Sequence, residues 1–505
     1  MVTRLDARAT ASIGFVATLI LVGLPLRGSA QGPTHRWFSL PIEVSGLPAQ
    51  AELVPIACTI DFADVLKRLG VCAGVDERSI RLFRLLPGGG EKEVLSQFTA
   101  APQARANERQ LLPGTTPAVS YRAEYAAGDG SRVVPLAGTL AWLAASGSDG
   151  KQAYRLRFGV PRRGRFVQVP FPPQNYRVFD EQGRATPAAY FPHMQIRPQW
   201  PLDGTLHVFE GTQLITTYHL GPLLGQISPM AVRRPFLYPV IGPDGYGLTE
   251  FGKPHDPTGS HAHHYSLWIA HANVNGHDFW SERGGIIAHD QWELLEDGPV
   301  FCRLVLTTRW VFDKVDILRE RRSLTVYRAA APTARLLDFE LEFMPAGSKA
   351  VELGKTSFGF LAVRVAQSMT PFDGGGEILS SRGDRNEQAA HLKRAEWLDL
   401  SGPVAPGRAA DERDSNIPPP RWGGIAVFDH PANENHPTIW HCRNDGWAGA
   451  SFCGEKAYTI PPAGKLRLRY RLVLHQGTVA EAHIAKHYEQ YRAQPAIRLG
   501  DPKHD

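Results

Sequence analysis

Apolar and polar positions alternate with the two-residue period of β-strands along most of this chain. Between residues 36 and 160 the apolar runs are short and separated by turns that contain glycine and proline, which predicts a small antiparallel β-sandwich. Residues 61–71 differ, because their apolar residues have helical spacing and the pattern stops at Gly70. The next segment, 161–195, opens with a run rich in proline and arginine, and we expect it to be a linker.

A second and larger β-region covers residues 196–495. Strand patterns follow one another here without periodic helices between them, which favours a large antiparallel sandwich over an α/β fold. The clearest strand is 335–344 (RLLDFELEFM), in which apolar and acidic residues alternate. Residues 479–494 have helical spacing and predict a closing helix. The expected fold class is all-β: an N-terminal β-sandwich, a large antiparallel supersandwich and a short C-terminal helix.

The first 30 residues have the pattern of a secretory signal peptide. Arg4 and Arg8 precede an apolar run over 13–26, and Gly, Ser and Ala follow at a small-residue cleavage site. The run is shorter than the roughly 20 apolar residues of a transmembrane helix, although an uncleaved anchor is the alternative. No other segment approaches that length. We therefore expect an exported protein, periplasmic or extracellular, with no membrane span after signal cleavage.

Composition narrows the function classes. Of 505 residues, 43% are hydrophobic and 21% are charged, as in soluble globular proteins. The net charge of +5 is too balanced to indicate a nucleic-acid partner or an anionic membrane surface. Aromatic residues make up 10% of the chain, and in a β-rich protein they serve either core packing or stacking on sugars.

Five cysteines follow the signal peptide, and an exported compartment permits disulfides. Cys442 with Cys453 is the most credible pair, since a hairpin could bring the two together. Cys58 with Cys72 is the second candidate. Cys302 is then left over as a small buried residue.

Histidine is the most informative residue type, because seven of the 19 histidines lie between positions 255 and 289. We expect a strand over 265–274 preceded by a loop. On that strand His263 and His271 would point to one face and His264 to the other. The loop could curl so that His261, His263 and His264 converge.

A second cluster lies in 428–446 (FDHPANENHPTIWHCRNDG), directly after a predicted strand. Asp429 and His430 would stand at the rim of a sheet, where sites on β-scaffolds are commonly built. The two His-rich segments could form one pocket. Converging imidazoles with a carboxylate suit either acid–base catalysis or a divalent metal ion such as Zn²⁺. The sequence contains no G-x-S-x-G elbow, phosphate-binding loop or H-E-x-x-H motif.

Four segments, in this order and spacing, resemble the PmoA family of exported bacterial proteins: 233–245, 261–280, 395–403 and 424–446. The resemblance spans about residues 205–490. The family name suggests a subunit of a membrane methane oxygenase, but such a subunit needs several apolar spans that this sequence lacks.

The resemblance implies an all-β supersandwich of the galactose-mutarotase-like type and an association with polysaccharide breakdown. In mutarotases, histidines and a carboxylate act on the anomeric centre of the sugar. The residues of this chain that match the family motifs are His263, His264, His271, Asp429, His430 and His441.

The sequence thus predicts an exported carbohydrate-active enzyme that acts on a glycan or oligosaccharide, by glycosidic cleavage (hydrolysis or β-elimination) or by epimerisation. The candidate catalytic residues are His264, Asp429 and His430, with Asp429 orienting the acid–base histidine. The candidate substrate-binding residues are His261, Trp268, Asn275, Trp280 and His441, although Trp268 and Trp280 also suit a core. His263 and His271 are candidate ligands of a divalent metal. The alternatives are a non-catalytic glycan-binding protein and a metal-dependent oxygenase.

Overall fold

The computed structural model of the chain describes residues 35–49, 54–71, 73–100, 137–146, 150–161, 194–198, 204–222, 232–252, 261–281, 283–329, 333–404 and 421–505. The predicted signal peptide (1–30) and nearly all of the predicted linker (161–195) lie outside these residues, as do Cys72 and His255.

Among the described residues, seven strands and one helix of the N-terminal region form a sandwich, and two C-terminal strands join it. The strands are β1 (His35–Ser45), β2 (Val54–Asp61), β3 (Asp76–Leu85), β4 (Glu91–Val94), β5 (Ser96–Ala100), β6 (Ala137–Ala144) and β7 (Gln152–Pro161). Strands β1, β7, β3 and β4 form one antiparallel sheet in that order, and β2, β6 and β5 form a second. Apolar side chains of both sheets, such as Phe38, Trp142 and Leu156, meet in one core.

The helix predicted from 61–71 is present as α1 (Phe62–Arg68). Its first turn is capped by the side chain of Asp61, which accepts hydrogen bonds from the backbone N–H groups of Ala63 and Asp64. Gly70, just beyond the helix, has φ of +66°. This is the left-handed conformation that glycine adopts at helix ends without steric cost.

The larger unit contains most of the strands. They are β8 (Met194–Pro198), β9 (Thr205–Glu210), β10 (Gln213–His219), β11 (Phe236–Val240), β12 (Leu267–His271), β13 (Ile286–Glu296), β14 (Phe301–Phe312), β15 (Val315–Tyr327), β16 (Ala334–Pro345), β17 (Val351–Leu353), β18 (Gly359–Arg364), β19 (Glu377–Ser380), β20 (Lys393–Arg394), β21 (Trp397–Val404), β22 (Arg421–Asp429), β23 (Ile439–Arg443), β24 (Trp447–Ser451), β25 (Tyr458–Ile460) and β26 (Leu466–Gln476). A 3₁₀ turn (Gln367–Met369) and the short helix α2 (Asn386–Ala390) lie between strands.

Two large antiparallel sheets face each other in this unit. The nine-stranded sheet has the order β20-β23-β24-β18-β12-β11-β10-β9-β8, and the eight-stranded sheet has the order β13-β14-β15-β16-β26-β22-β21-β19. Strands β17 and β25 form a small separate pair. The predicted all-β fold class is confirmed.

The core between these sheets follows the alternation seen in the sequence. On β16 the apolar residues are buried between the sheets, and the acidic residues between them are more accessible; the buried set is Leu337, Phe339, Leu341 and Phe343. Some polar side chains are buried as well: Glu320 on β15 is fully buried and accepts hydrogen bonds from Arg322 Nε at 2.7 Å and Trp310 Nε1 at 3.0 Å. A buried carboxylate is retained because a buried guanidinium compensates its charge.

The C-terminal segment closes both units. Helix α3 (Ile484–Arg492), which confirms the predicted closing helix, packs Tyr488 against Phe428 on the eight-stranded sheet. The last strands, β27 (Ala496–Leu499) and β28 (Lys503–His504), then pair with β1 of the N-terminal sandwich. Among the described residues, no helix is long and apolar enough to cross a bilayer.

The predicted disulfide between Cys442 and Cys453 is wrong. Both thiols are free and buried, as are those of Cys58 and Cys302. The expected hairpin exists as β23–β24, but its register places Cys442 opposite Ala448 and puts Cys453 beyond the end of β24. The residue opposite Cys442 is therefore Ala448 and not Cys453, which lies in the turn after β24, so the register does not pair the two cysteines.

Candidate functional site

The two histidine-rich segments meet because their strands are near neighbours in the nine-stranded sheet. The first segment leads into β12, the second forms the β23–β24 hairpin, and β18 lies between β12 and β24. Five residues come together there, and we call them the His–Asp cluster: His261, His263, His264, Arg364 and Asp445.

Arg364, the last residue of β18, joins the two halves of the cluster. It is 1% exposed. Its Nη1 donates to His264 Nδ1 at 2.8 Å, and its Nη2 donates to the backbone oxygen of Asp445 at 2.9 Å. The Asp445 carboxylate lies 3.7 Å from Nη1. Because a guanidinium only donates, His264 accepts at Nδ1 and a neutral His264 carries its proton on Nε2.

His261 and Asp445 form the accessible part of the cluster. His261 Nε2 lies 3.4 Å from Asp445 Oδ2, and the two side chains are 30% and 20% exposed. A carboxylate at this distance can orient an imidazole. This pair, rather than the buried His264, can therefore exchange a proton with a bound molecule.

The other imidazoles of the site are held neutral. Burial, together with the neighbouring His263 and Arg364, holds the pKa of His264 well below its ordinary value. Burial and the charge of Arg234 lower the pKa of His263 to about 4. Burial and the neighbouring His391 lower the pKa of His441 to about 3. At neutral pH these rings act as hydrogen-bonding and packing groups without charge.

A second buried arginine fixes the loop that carries the histidines. Arg234 donates from Nη1 to the backbone oxygen of His263 at 2.9 Å and from Nη2 to that of Trp280. Its guanidinium lies over the Tyr265 ring, 4.6 Å from the ring centre. These contacts hold the 261–264 turn against the segment at 280.

The strand expected over 265–274 is shorter than predicted, so the strand alternation from which the faces of His263 and His264 were assigned does not reach these residues. Ser266 has φ of +63°, outside the extended range, and β12 begins only at Leu267. Strand alternation therefore does not extend back to His263. His271 is fully buried, stacks on Phe360 and contacts the Gly354 carbonyl through Nε2 at 3.1 Å.

Aromatic rings support the cluster from the core side. Trp268 and Trp280 are both buried and lie 5.3 Å apart, and Trp268 stacks under His264 at 5.5 Å. Trp447, from β24, lies 5.2 Å from His264. Of the two interpretations open for Trp268 and Trp280, the structure places both in the core.

His441 belongs to the same region through the β23–β24 hairpin. Its ring lies 4.3 Å from that of Trp447, and its Nδ1 lies 3.0 Å from Ser357 Oγ. The ring of His391 is 4.7 Å away, and the Nδ1 of His391 donates to the Cys442 carbonyl at 2.9 Å. His441 and His264 thus both pack against Trp447, which places His441 beside the His–Asp cluster.

The hydrogen bonds and ring contacts of Asn275, Asp429 and His430 are made with residues outside the His–Asp cluster. Asn275 accepts a hydrogen bond from the Glu352 backbone N–H at 2.7 Å, which fixes a turn. Asp429 is buried and bonds to His436 Nδ1 at 2.9 Å, whereas His430 packs its ring against Tyr491 of α3.

The prediction that Asp429 orients His430 is therefore wrong. Asp429 ends β22, and consecutive side chains at the end of a strand point to opposite faces of the sheet. The hydrogen bonds of Asp429 go to Asn433, His436 and Thr438, and none of these belongs to the His–Asp cluster.

The tentative metal ligands do not fit a metal centre. The part of the chain that the structure describes contains no group of three or more His, Cys, Asp or Glu side chains arranged to hold a metal ion. Of the two tentative ligands, His263 packs edge-on against the His264 ring at 4.5 Å, and Nε2 of His271 is engaged with the Gly354 carbonyl.

Residues 206–489 match the sequence profile of a family of unknown function (DUF6807), and this match covers more than half of the chain. The chain belongs to this family. The matched range runs from β9 into α3 and contains all five residues of the His–Asp cluster. The N-terminal sandwich and the final two strands lie outside the family range.

Other comparisons add little to the family assignment. No curated protein matches the chain. Among solved structures, the chain is similar to a protein in the glycosyl hydrolase family 38 from Enterococcus faecalis, with 10% identity and a TM-score of 0.36. The alignment covers 92% of this chain but 47% of that one, so the chain spans about half the length of its structural neighbour.

Sequence reasoning missed two residues on which this family member's site depends. Asp445 was visible in the second histidine cluster but received no role, because Asp429 stood beside a histidine. Arg364 carried a usable signal: it is the one charged residue in β18, whose sequence is GFLAVR and whose residues are all buried. A fully buried arginine nearly always has a partner, and here the partners are His264 and Asp445.

Proposed function

We propose that this protein is a carbohydrate-active enzyme in which His261, oriented by Asp445, transfers the proton. The observation that carries the proposal is the accessible His261–Asp445 pair, whose atoms lie 3.4 Å apart. The buried Arg364 lies 3.7 Å from the Asp445 carboxylate. The resemblance to the PmoA family and to mutarotase-like sandwiches favours a sugar as the substrate. The signal-peptide pattern of residues 1–30 places the enzyme outside the cytoplasm in this proposal.

Each member of the cluster has a distinct role in this proposal. His261 takes a proton from the sugar, and Asp445 stabilises the imidazolium that forms. Arg364 holds the Asp445 backbone and His264 in place, so that the carboxylate stays next to His261. His264 and His263 stay neutral and complete the wall of the site.

The donor set favours elimination or epimerisation over hydrolysis. Hydrolysis of a glycosidic bond ordinarily uses two carboxylates on opposite sides of the bond. The His–Asp cluster supplies one, Asp445. The nearby carboxylate of Asp278 accepts hydrogen bonds from the backbone N–H groups of Trp280 and Ser281 and so caps its own turn. In an elimination, His261 removes a proton from carbon, the glycosidic oxygen departs with the bond pair, and a carbon–carbon double bond remains.

The test is turnover of a panel of neutral and acidic polysaccharides by the purified protein, with mass spectrometry of the products. Hydrolysis adds one water to the products, elimination adds none, and epimerisation leaves the mass unchanged. His261→Asn and Asp445→Asn should each lower turnover by about 100-fold or more, as removal of a general base does. His504→Asn is the matched control, because His504 is exposed on β28 in the N-terminal sheet.

Two results would overturn the proposal. Full activity in His261→Asn would exclude His261 as the proton-transfer group, and loss in His430→Asn alone would move the site to the α3 side of the sheet. Binding of a glycan by the wild-type protein without turnover on any substrate would identify a glycan-binding protein instead.

A further inference from the structure

Exposed apolar side chains concentrate around the hairpin that carries the site. Among the described residues, the exposed large apolar side chains are Trp37, Leu86, Tyr238, Val315, Phe358, Phe372 and Leu392. Three of these, Phe358, Phe372 and Leu392, contact the β23–β24 hairpin. Phe372 is 75% exposed, which is unusual for a phenylalanine. A soluble protein that gathers exposed apolar side chains at one place commonly uses that place for binding.

The hairpin fixes each of these side chains in position. The backbone N–H of Phe372 donates to the Asn444 carbonyl at 3.0 Å, and that of Leu392 donates to the Trp440 carbonyl at 2.8 Å. The Phe358 ring lies 4.7 Å from the ring of His441 and stacks nearly parallel to Trp447. The Phe358 ring and the backbones of Phe372 and Leu392 are thus attached to the hairpin that supplies His441 and Asp445.

The two phenylalanines contact the hairpin at different levels. Phe358 lies at His441, whereas Phe372 is bonded to Asn444, three residues further along the chain. His441 lies within β23, whereas Asn444 begins the turn that follows it, and three residues of strand span about 10 Å along the backbone. Stacked rings have their centres about 4.5 to 7 Å apart, so two attachment points at this spacing suit two neighbouring sugar units.

A sugar chain matches this surface better than a purely apolar partner does. A pyranose presents an apolar C–H face to an aromatic ring and hydroxyl groups at its edge. Polar groups stand on the same segments: Ser357 precedes Phe358 and its Oγ lies 3.0 Å from His441, and Asp445 follows Asn444, whose carbonyl accepts from the Phe372 backbone, and lies 3.4 Å from His261. Sites that combine apolar faces with a few fixed polar groups are typical of small-molecule recognition.

We propose that the substrate is an oligosaccharide, with one sugar unit stacked on Phe358 and another on Phe372, next to the His261–Asp445 pair. This rests on the proposed function, which it deepens by assigning two sugar-binding positions and excluding a free monosaccharide as the preferred substrate. Leu392 borders the surface on the His391 side and contacts the same chain.

The test begins with the full protein on an array of neutral and acidic oligosaccharides from disaccharide to hexasaccharide. The oligosaccharide series that binds best on the array, together with its monosaccharide, is then titrated by calorimetry into the wild type, Phe358→Ala, Phe372→Ala and Trp37→Ala. Trp37→Ala is the matched control, since Trp37 is an exposed aromatic residue on β1 of the other sandwich. We expect wild-type affinity to rise with chain length, and each phenylalanine variant to lose about 3- to 10-fold for long oligosaccharides. Affinity for the monosaccharide should change little in at least one of the two variants.

Several outcomes would overturn this inference. They are the absence of any array ligand, equal affinity for monosaccharide and oligosaccharide, and unchanged binding in both phenylalanine variants. The proposed function is tested separately by turnover in His261→Asn. If the phenylalanine variants lose affinity while His261→Asn stays fully active, the oligosaccharide site stands and the proton-transfer proposal fails. If His261→Asn is inactive while the phenylalanine variants bind normally, the reverse holds.

Discussion

Replacing Arg364 with methionine removes the buried cation that joins the 261–264 turn to the β23–β24 hairpin. The variant leaves two buried acceptors without their donor: His264 Nδ1, now at 2.8 Å, and the Asp445 carbonyl, now at 2.9 Å. A hydrogen bond from a charged donor contributes about 1.5 to 3 kcal/mol to stability. Arg364→Met should therefore lower the free energy of unfolding of the larger unit by about 3 to 6 kcal/mol. We add nothing for the Asp445 ion pair, because that carboxylate is partly exposed.

The matched control is Arg443→Met on the same hairpin. Arg443 is paired with Glu387 at 2.9 Å, but its side chain is half exposed. An exposed ion pair contributes about 1 kcal/mol or less, so this variant should unfold nearly as the wild type does. The assay is urea unfolding followed by tryptophan fluorescence, since Trp268 and Trp447 both pack against His264. The described residues form separate large cores in the N-terminal sandwich and the larger unit, so the unfolding curves are fitted for more than one transition.

A local readout separates the proposed bridge from a general packing effect. In the wild-type protein, nitrogen NMR of His264 should show a neutral ring protonated at Nε2, because Nδ1 accepts from Arg364. Arg364→Lys should recover part of the stability, since an ammonium reaches one acceptor but lacks the planar fork. Equal stability of Arg364→Met and Arg443→Met, or an unchanged His264 tautomer in Arg364→Met, would refute the bridge.

Three further predictions test the core. Burial lowers the pKa of His271 to about 4, so the folded state loses stability as pH falls from the ordinary histidine pKa of 6.5 through 4. His271→Gln keeps a donor for the Gly354 carbonyl but has no titrating ring. In urea unfolding over this pH range, its free energy of unfolding should therefore fall by about 3 kcal/mol less than that of the wild type. Glu320→Gln should cost about 3 to 5 kcal/mol by leaving Arg322 buried without its counter-charge, and the apolar double variant Glu320→Leu/Arg322→Met should recover much of it in the same assay. Cys442 and Cys453 are free and buried, so they should react with a thiol reagent once the protein is denatured, with no reductant added. A disulfide between them would leave both unreactive under the same conditions.

Strands and helices could be predicted from the sequence wherever the pattern of buried side chains is regular within one segment. β16 is an example, since every second side chain faces the core and the alternation is visible along a single strand. Helix α1 could be predicted equally well, because its N-cap, its apolar spacing and the glycine that ends it all lie within a few residues. The 265–274 strand was over-extended because Ser266 leaves the extended conformation, and no residue near it marks that change.

The candidate site depended on information that is not local. The two histidine-rich segments do come together: His261 lies 3.4 Å from Asp445, and His264 and His441 both pack against Trp447. Which acid pairs with which histidine depends on strand order and register. Adjacency in sequence favoured Asp429 with His430, whereas the sheet brings Asp445 to His261 across 184 positions.

One type of sequence signal could have located the site without the sheet order. Arg364 and Arg234 each stand inside or beside an apolar run, and both side chains are fully buried with polar partners in the structure. An arginine in an apolar strand must be compensated, and its compensation must come from groups elsewhere in the chain. In a β-protein those groups lie on neighbouring strands, so an isolated charge in a buried strand marks where distant polar segments converge. Glu320 and Arg322 on β15 obey the same rule but compensate each other from within one strand. A buried charge whose partner lies on another strand therefore marks a place where distant segments converge. Arg364 is one such charge, and Arg335, which pairs with Glu210 of β9, is another.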